Sequence, residues 1–510
     1  MYKFTRRQTL FAAAAGISGL SGYWLQSGDS VDDDTFRVGS PWTPDAIDPV
    51  ANGWLWRRLN VLEPLLTVDY DATVSPGLAT DWHMVNDRTW EFTLREGATF
   101  HDGTEVTAET VLPSLTRAFE SSSMAAVPVE SVEAAADRTI IIQTTVPFSP
   151  LPAHCTRGIT CPVSPSAIAN DGSITEPIGT GPFQFEDWEL GSTITTTATP
   201  DYHGSTAHIE TLIYEGITDD QTRRLKLENG ELDMARILPN KAADTLASSP
   251  DLTAHTYKIP RARYLVFDLD SAPFADRDVR RAVMYAIDRD HIVDSLLNGL
   301  GSKAVGPFPA DVTEWAAELE PYEYSPDKAR SLLAEAGWEP DGDTRTRDGD
   351  TLSVSIWTYN IRPLLPTIAE VIQTQLQAVG FDVDISVMES STIKQQATNG
   401  EFDTVLWSSS VLWYPDPDRL SDLVHSETAT MFSGYESEAV DRHLEAARRT
   451  ADRDERFERY AAVQRHIQRD LPLGWLTYYA NVIGTRADVG GYQPHPIESC
   501  YHLEEVTQQR

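Results

Sequence analysis

Lysine is scarce in this chain: only seven of its 510 residues are lysines, whereas 77 are aspartate or glutamate. With 41 lysines and arginines in all, the formal net charge is −36, which argues against nucleic acid and anionic lipid as partners because both are anionic. The acidic residues are scattered mostly in ones and twos, and the longest run is Asp32-Asp33-Asp34. We interpret this as a surface adapted to very high salt, where a Debye length of ~3 Å at 1 M screens self-repulsion. This interpretation predicts a loss of stability in dilute buffer.

The chain also lacks the usual catalytic motifs. It contains no H-E-x-x-H zinc motif, no G-x-S-x-G nucleophile elbow and no G-K-[ST] phosphate loop, which excludes those chemistries in their usual form. Its 12 histidines are dispersed along the sequence. We therefore predict a protein that is not an enzyme and has no cofactor. A secreted hydrolase with an unrecognised site is the alternative from a different class.

Cysteine is scarce as well, with three residues: Cys155, Cys161 and Cys500. Cys155 and Cys161 enclose five residues and could form a small-loop disulfide outside the cell. A metal site built from these two thiols and His154 is an alternative, although it lacks a second pair of ligands. The redox state of the pair stays open at this stage.

No apolar run is long enough for a typical membrane span. The longest near the N-terminus, Leu10 to Leu25, has 16 residues and is interrupted by glycine and serine, whereas a spanning helix needs ~20. The pair Arg6-Arg7 precedes it, a pattern typical of a twin-arginine (Tat) export signal. Residues 1–34 are thus interpreted as a Tat signal and an acidic linker. Whether the signal is cleaved or holds the protein at the membrane stays open.

Local patterns predict short strands with few helices after residue 35 and a change to alternating helices and strands in the middle of the chain. The alternation of Trp90, Phe92 and Leu94 predicts a strand, as do the apolar residues of Thr139–Thr144. Asp276–Gly299 has apolar residues at helical spacing, and Ser325-Pro326 is an N-cap followed by a first-turn proline. Thr367 and Glu370 form a capping-box pattern at the start of a further helix. The fold class is therefore α/β.

Four motifs occur in a fixed order along the chain. They are Glu63–Val111, which begins EPLLTVDYDATVSPGLATDW, then PIGTGPF (177–183), PFADRDVRRAVMYAIDRDHIV (273–293) and YSPDKARSLLAEAGW (324–338). In this order they closely resemble the peptide/nickel family of solute-binding proteins (family 5), here of a haloarchaeal type. Members of that family are extracytoplasmic receptors of ABC importers.

The resemblance implies a two-lobed fold like that of the periplasmic binding proteins (type II, cluster C), with mixed sheets, flanking helices and a hinge. It implies a first lobe of residues 35–265 plus 482–510 and a second lobe of residues 266–481. Ligand would be buried between the lobes when they close. The expected partners are a peptide or metal-chelate ligand and the permease and ATPase subunits of the importer, with the binding protein itself a monomer outside the cytoplasm. A chemosensory ligand receptor is the alternative within the binding class.

One segment matches the ligand-facing loop of the family, and it begins at Trp407 and runs to Asp418. It contributes Trp407, Trp413, Tyr414 and Asp416 as expected ligand-binding residues, since such clefts combine aromatics with a few polar groups. In dipeptide-binding relatives an aspartate three residues before the Asp-Pro-Asp sequence holds the peptide ammonium group. Here that position is Trp413, so the resemblance implies that the peptide anchor is missing.

Two further residues resemble the nickel-binding branch. Arg157 stands where those relatives carry an arginine that grips the carboxylates of a metal chelator, a role suited to the planar guanidinium. His425 lies in the region of their metal-ligating histidine, although its spacing from Asp416 is shorter, and the branch's second arginine has no counterpart around residues 119–123. The predicted function is capture of peptides or of nickel and other metal chelates for an ABC importer.

Overall fold

The computed structural model describes residues 35–362 and 364–509. The predicted Tat signal and linker therefore lie outside the described residues. Within the described part, no helix combines the length and apolar character needed to cross a bilayer.

Strands and helices both occur along the described chain, with runs of consecutive strands over residues 66–94, 183–216 and 339–358. The strands are β1 (Thr35–Ser40), β2 (Leu66–Val68), β3 (Val74–Pro76), β4 (Ala79–Asn86), β5 (Thr89–Leu94), β6 (Val129–Ala136), β7 (Thr139–Thr144), β8 (Phe183–Glu189), β9 (Thr193–Ala198), β10 (Thr211–Gly216), β11 (Met234–Ala235), β12 (Leu252–Phe267), β13 (Ser302–Lys303), β14 (Glu339–Asp341), β15 (Thr344–Arg347), β16 (Asp350–Thr351), β17 (Ser353–Thr358), β18 (Asp382–Val387), β19 (Thr404–Ser410), β20 (Leu473–Arg486), β21 (Val489–Gly490) and β22 (Thr507–Gln508).

The helices pack around these strands. They are α1 (Leu55–Arg58), α2 (Ala108–Phe119), α3 (Leu151–His154), α4 (Asp220–Glu228), α5 (Ala242–Ala247), α6 (Arg277–Ala286), α7 (Arg289–His291), α8 (Pro326–Glu335), α9 (Leu365–Gln377), α10 (Ser390–Ala397), α11 (Ser421–Val424), α12 (Glu438–Arg449) and α13 (Arg453–Asp470).

An 11-stranded mixed sheet runs through the molecule in the order β18-β17-β19-β12-β20-β11-β1-β10-β9-β8, with β13 paired to β20. The long antiparallel strands β12 and β20 lie at its centre, and their pairing is interrupted by register shifts at Ile259/Ala262 and Arg263/Tyr264. Such irregularities bend a strand pair and increase its twist. The strands before β12 in the sequence lie on one side of this pair, and β17, β18 and β19 lie on the other.

A separate antiparallel sheet, β4-β5-β7-β6, packs against α2. Along β5, Trp90, Phe92 and Leu94 are buried while the residues between them are half-buried, so the predicted period-2 strand is confirmed. α2 begins with a capping box in which Thr107 and Thr110 bond each other's backbone amides. The strand predicted at Thr139–Thr144 is likewise confirmed, as β7.

Two predictions in the second half of the chain were wrong in detail. The helix expected over Asp276–Gly299 is interrupted, because Ile287 is extended and the Asp288 side chain caps a new turn by accepting from the His291 amide. The capping box at Thr367 and Glu370 does not form. α9 instead begins at Leu365, two residues before Thr367, with Leu364 in the left-handed conformation and Pro366 in the first turn, where its fixed φ suits a helix start.

The two nearby cysteines are buried in different hydrophobic clusters. Cys155 packs in the cluster of the β4–β7 sheet, and Cys161 packs beside β1 and α1. Both are free thiols, as is Cys500. The structure thus contains neither the small-loop disulfide nor any grouping of Cys155, Cys161 and His154 as metal ligands within its described residues.

Candidate functional site

Two adjoining cavities lie where the N-terminal segments face the second half of the chain. The larger, of about 700 Å³, is lined on one side by residues between Pro41 and Arg58 and on the other by residues between Arg261 and Trp413. The smaller, of about 420 Å³, lies between the loop at 49–58 and residues 123–159, with Trp413 and Ser499 completing it. Their shared wall consists of Asn52, Trp54, Arg58 and Trp413. Both volumes suit a small-molecule ligand.

A tight loop places the N-terminal part of this wall. Asn52 is in the left-handed conformation (φ 78°), and its side-chain oxygen accepts a hydrogen bond of 2.8 Å from Trp54 Nε1. A Cβ at Gly53 would lie 2.4 Å from the Ile47 carbonyl oxygen, so only glycine fits there. The loop leads directly into α1, whose last residue is Arg58.

Trp413 is the most exposed aromatic residue of the site. Its neighbours Leu412 and Tyr414 are 1% and 2% exposed, whereas Trp413 is 45% exposed and lines both cavities. The loop is fixed where it leaves β19, because the Val411 amide donates to the Pro260 carbonyl at 2.8 Å. An exposed indole held between buried neighbours is a ready contact surface for a ligand.

The other predicted residues of this loop are buried around Trp413. Trp407 lines the larger cavity and packs on Tyr359, with ring centroids 4.8 Å apart. The Tyr414 ring packs against His154 with centroids 4.2 Å apart and planes tilted by 36°, and the Arg157 guanidinium lies 5.8 Å from the centroid of the Tyr414 ring. Arg157 itself lines the smaller cavity, whereas Tyr414 lies behind the lining.

Asp416 occupies a different position from the one expected of a ligand-binding residue. Its carboxylate accepts hydrogen bonds from Arg456 at 2.7 Å on both oxygens and caps the following turn through the Asp418 amide. It is buried and does not line either cavity. These contacts assign Asp416 a structural role in holding the loop.

The predicted metal ligand His425 also lies away from the cavities. Its Nδ1 accepts from the Glu427 amide at 3.1 Å, and its ring is buried beside Asp441 and Glu445. Because one ring nitrogen is committed to backbone and the residue lines neither cavity, the structure does not bring His425 to the site.

A second group of metal-type donors occurs in the C-terminal tail. One ring nitrogen each of His495 and His502 and the sulfur of Cys500 lie within 4.8 Å of one another. However, His495 Nδ1 accepts from the Ile497 amide at 3.0 Å and its Nε2 lies 3.2 Å from the Val68 carbonyl oxygen. Both nitrogens of His495 are therefore already satisfied, and we assign no metal to this group.

The cavity walls are strongly basic in an otherwise acidic protein. Six cationic side chains line the two cavities, namely Arg57, Arg58, Arg157, Arg261, Arg362 and Lys394, and Asp45 is the single carboxylate among the lining residues. Acidic side chains reappear in a neighbouring cavity of about 670 Å³, lined by Asp219, Asp220 and Glu389. Positive charge is thus concentrated in the walls that Trp413 shares.

Glu498 from the C-terminal tail neutralises part of this charge. Its carboxylate lies 2.7 Å from Arg261 and 3.0 Å from Arg362, and all three residues are less than 10% exposed. Burial by itself raises the pKa of Glu498, but the two guanidinium groups outweigh it and hold that pKa well below the usual range. This triad joins β12, the loop before α9 and the tail.

Sequence reasoning missed several of these residues. We did not predict Trp54, Arg57, Arg58 or Glu498 as site residues from the sequence. The run Trp54-Leu-Trp-Arg-Arg58 carried a signal, since it places two tryptophans and two arginines within five residues. No local sequence pattern indicated that Glu498 pairs with Arg261 and Arg362, which lie more than 130 positions away.

Comparisons with known proteins identify the family. The family model for bacterial extracellular solute-binding proteins, family 5, matches residues 73–431. The chain is a family 5 solute-binding protein. This family 5 protein is 30% identical to Protein XP55 of Streptomyces lividans over 92% of its own length and 87% of that relative.

Solved structures share the fold of this family 5 protein. NikA from Brucella suis, in complex with Fe(III)-EDTA, superposes with a TM-score of 0.86 at 24% identity, covering 94% of this chain and all of that one. The oligopeptide-binding protein AppA from Bacillus subtilis, in complex with a nonapeptide, gives 0.80 at 23% identity over 93% and 99% of the two chains. The two-lobed type II binding-protein fold is therefore confirmed.

Proposed function

We propose that this protein is the extracytoplasmic binding subunit of an ABC importer and that it captures a peptide or a nickel or other metal chelate in the cleft formed by the two cavities. The observation that carries the proposal is the shared wall, where Trp54 and Arg58 face the half-exposed Trp413. Relatives with the same fold bind a metal chelate or a peptide, as reported above. The protein binds and releases its ligand without chemical turnover, and its partners are the permease and ATPase subunits.

The proposed lobes are residues 35–265 with 482–510 and residues 266–481. Both boundaries fall inside β12 and β20, the paired strands at the centre of the large sheet. The register shifts in this pair support a role as the hinge, because an interrupted ladder bends more readily than a regular one. Closure about these strands would bring Trp413 against the loop at 49–58.

The proposal predicts a specific effect of Trp413→Ala. Loss of a large aromatic contact should weaken ligand binding by about 10- to 100-fold. The melting temperature in concentrated salt should stay nearly unchanged, because the side chain is 45% exposed. Isothermal titration with the ligand found in a thermal-shift screen of peptides and metal chelates measures the affinity, and thermal unfolding followed by circular dichroism measures the melting temperature.

Tyr324→Ala is the matched control for this variant, because Tyr324 is an aromatic of similar exposure, 47%, that does not line the cavities. It should leave the affinity unchanged. Equal affinity of Trp413→Ala and the wild type would place the ligand elsewhere, and a large stability loss in that variant would make Trp413 a packing residue.

Export and salt adaptation belong to the same proposal. We infer export by the Tat system from Arg6-Arg7. The double variant Arg6→Lys, Arg7→Lys should therefore leave the precursor in the cytoplasmic fraction, and unimpaired export of that variant argues against Tat.

We infer adaptation to high salt from the net charge of −36. Unfolding followed by circular dichroism during stepwise dilution of KCl tests this, and an unchanged folded signal in dilute buffer would contradict it.

A further inference from the structure

We propose that Cys500 is a reactive thiolate, activated by Arg57 and His502, and that hydrogen peroxide oxidises it to a sulfenic acid. Cys500 lies behind the lining of the smaller cavity, to which Arg57 and Ser499 belong. It is a site of covalent modification, and its oxidation involves no turnover of ligand. The inference goes beyond the proposed function and does not depend on which ligand the protein captures.

Glu504 and His502 supply the carboxylate and the imidazole of this site. His502 Nδ1 lies 3.1 Å from Glu504 Oε1, and the other ring nitrogen, Nε2, is buried without a hydrogen-bond partner among the described residues. Burial by itself lowers the pKa of His502, but the neighbouring Cys500 and Glu504 outweigh it and raise that pKa to about 10. His502 is therefore a cation at neutral pH. A thiol beside a charged imidazole that a third group orients is an activated nucleophile.

The backbone and two neighbouring rings hold the His502 side chain beside the sulfur. His502 is in the left-handed conformation (φ 49°, ψ 47°), which residues other than glycine adopt rarely. Its ring centroid lies 5.0 Å from that of His495 and 5.5 Å from that of Tyr70. One of its ring nitrogens lies within 4.8 Å of Cys500 Sγ. Backbone strain of this kind persists where the surrounding structure fixes it, and it is concentrated at functional sites.

Arg57 places a second positive charge beside the sulfur. Its guanidinium donates to Cys500 Sγ at 3.5 Å and to the Thr67 hydroxyl at 2.9 Å, and its Nε is buried with no hydrogen-bond partner in the part of the chain that the structure describes. Arg57 is 4% exposed and Cys500 is 2% exposed, so solvent screens this contact little. Burial by itself lowers the pKa of Arg57, but nearby negative charge, that of Cys500 above all, raises it. A thiolate supplies the counter-charge that a buried guanidinium needs.

A comparison of the three cysteines sets Cys500 apart. All three are free thiols and nearly fully buried, with 0% exposure for Cys155 and 2% for both Cys161 and Cys500. Burial raises the pKa of Cys155, and it raises that of Cys161 to about 12. For Cys500 burial acts in the same direction, but Arg57 and His502 outweigh it and hold the pKa below its usual value. Because the thiolate is the nucleophile, we expect Cys500 to be the reactive cysteine of the folded protein.

The smaller cavity gives a small oxidant access to this sulfur. Arg57 and Ser499 line the cavity, which has a volume of about 420 Å³, and Ser499 Oγ lies 4.0 Å from Cys500 Sγ. Hydrogen peroxide is little larger than water, so a small displacement of either side chain admits it to the sulfur. The same two side chains exclude bulky reagents, which makes peroxide the oxidant that fits the site.

The reaction transfers two electrons from sulfur to the peroxide. The Cys500 thiolate attacks one oxygen of hydrogen peroxide, so that an S–O bond forms and the O–O bond breaks. The second oxygen leaves as hydroxide and takes a proton from the His502 imidazolium, which gives water. Arg57 stabilises the negative charge as it moves from the sulfur to the leaving oxygen. The products are a sulfenic acid, a neutral imidazole and water.

The test is mass spectrometry of the full chain, folded in concentrated KCl and treated with hydrogen peroxide in the presence of dimedone, which traps sulfenic acids. Peptide mapping follows each cysteine by itself, so Cys155 and Cys161 are internal controls of similar burial. The dimedone adduct of Cys500 should form about 10-fold faster, or more, than that of either control. A rate at Cys500 no greater than at the other two cysteines overturns the proposal.

Two variants assign the activating groups. His502→Gln and Arg57→Gln should each slow the oxidation of Cys500 by about 10-fold or more, because each removes one of the cations that favour the thiolate. His83→Gln is the matched control, since His83 is an exposed residue of β4, which belongs to a different sheet. This control should oxidise at the rate of the wild type. Circular dichroism confirms that each variant is folded before peroxide is added.

The outcomes separate this inference from the proposed function. Unchanged oxidation rates in both folded variants show that Arg57 and His502 do not activate Cys500, and they overturn the proposal even where the wild-type thiol reacts fast. If a variant does not fold, the comparison of the three cysteines within the wild type decides alone. No ligand takes part in these measurements, so a negative result leaves the binding function intact.

Discussion

Glu498→Gln should destabilise the protein by about 3–5 kcal/mol, because it leaves the guanidinium groups of Arg261 and Arg362 buried without a counter-charge. Both arginines are less than 10% exposed and lie within 3.0 Å of the carboxylate. The substitution nearly preserves volume, so the loss reports on charge and not on packing. Chemical denaturation in concentrated salt measures the free energy of unfolding.

Glu455→Gln provides the control for this effect. Glu455 pairs with Arg459 one helical turn away at 3.1 Å, and both side chains are at least 40% exposed. An exposed pair of this kind contributes less than ~0.5 kcal/mol. A loss of similar size in the two variants would contradict the assignment of Glu498 as the charge that holds the tail to β12.

The same triad makes a prediction for the pH dependence of stability. The folded-state pKa of Glu498 lies well below its usual range, so its stabilisation is fully present above the unfolded pKa of about 4.3 and is lost as pH falls toward the folded pKa. The difference in unfolding free energy between the wild type and Glu498→Gln should therefore shrink on acidification below pH ~4. A difference that stays constant over that range would contradict the charge pairing.

Asp416→Ala should also cost about 3–5 kcal/mol, since it removes the carboxylate that Arg456 contacts with two bonds of 2.7 Å. Asp416 and Arg456 are 5% and 9% exposed, so the arginine would be left buried and unpaired. The affinity for ligand should change little in the fraction that remains folded, because Asp416 does not line the cavities. Denaturation and titration of the same preparation measure both quantities.

Asp384→Ala serves as the comparison, because Asp384 is an exposed aspartate on β18. It should change the unfolding free energy by no more than ~0.5 kcal/mol. If Asp416→Ala instead kept full stability and lost ligand binding, the sequence-based expectation of a ligand contact would be correct and the structural role wrong.

Local sequence patterns predicted an element correctly where one apolar face of a strand or one cap residue of a helix determines it. The period-2 strand at Thr89–Leu94 and the helix start at Ser325 depend on neighbouring residues only, and both occur as expected. The capping box at Thr367 failed because Leu364 in the left-handed conformation and Pro366 begin the helix earlier. The long helix after Asp276 failed because Asp288 competes as an N-cap, and its own amide donates to Gln375, 87 residues away.

For the site, the sequence predicted three of the lining residues but not the other arginines of the cavity walls. Trp413 and Arg157 line the cavities, and Trp407 contributes to the larger one. The Asp416 carboxylate accepts a hydrogen bond from Arg456, and His425 Nδ1 accepts one from the Glu427 amide. Neither residue lines the cavities. The role of Asp416 could not be assigned from the sequence, because its partner Arg456 is 40 residues away. The contact of His425 with the Glu427 amide is local, but it depends on a turn that the sequence pattern did not predict.

Four ordered motifs were sufficient for the resemblance to the family and for the fold that it implies, and composition was sufficient for the charge of −36. These are properties of composition and of short-range pattern, which each segment carries by itself. The basic cavity was decided by tertiary structure alone. It arises because α1, the loop after α3, β12, the loop before α9 and the C-terminal tail bring Arg58, Arg157 and the triad of Glu498 into adjoining walls. The net charge of a chain does not indicate where its few cations will meet.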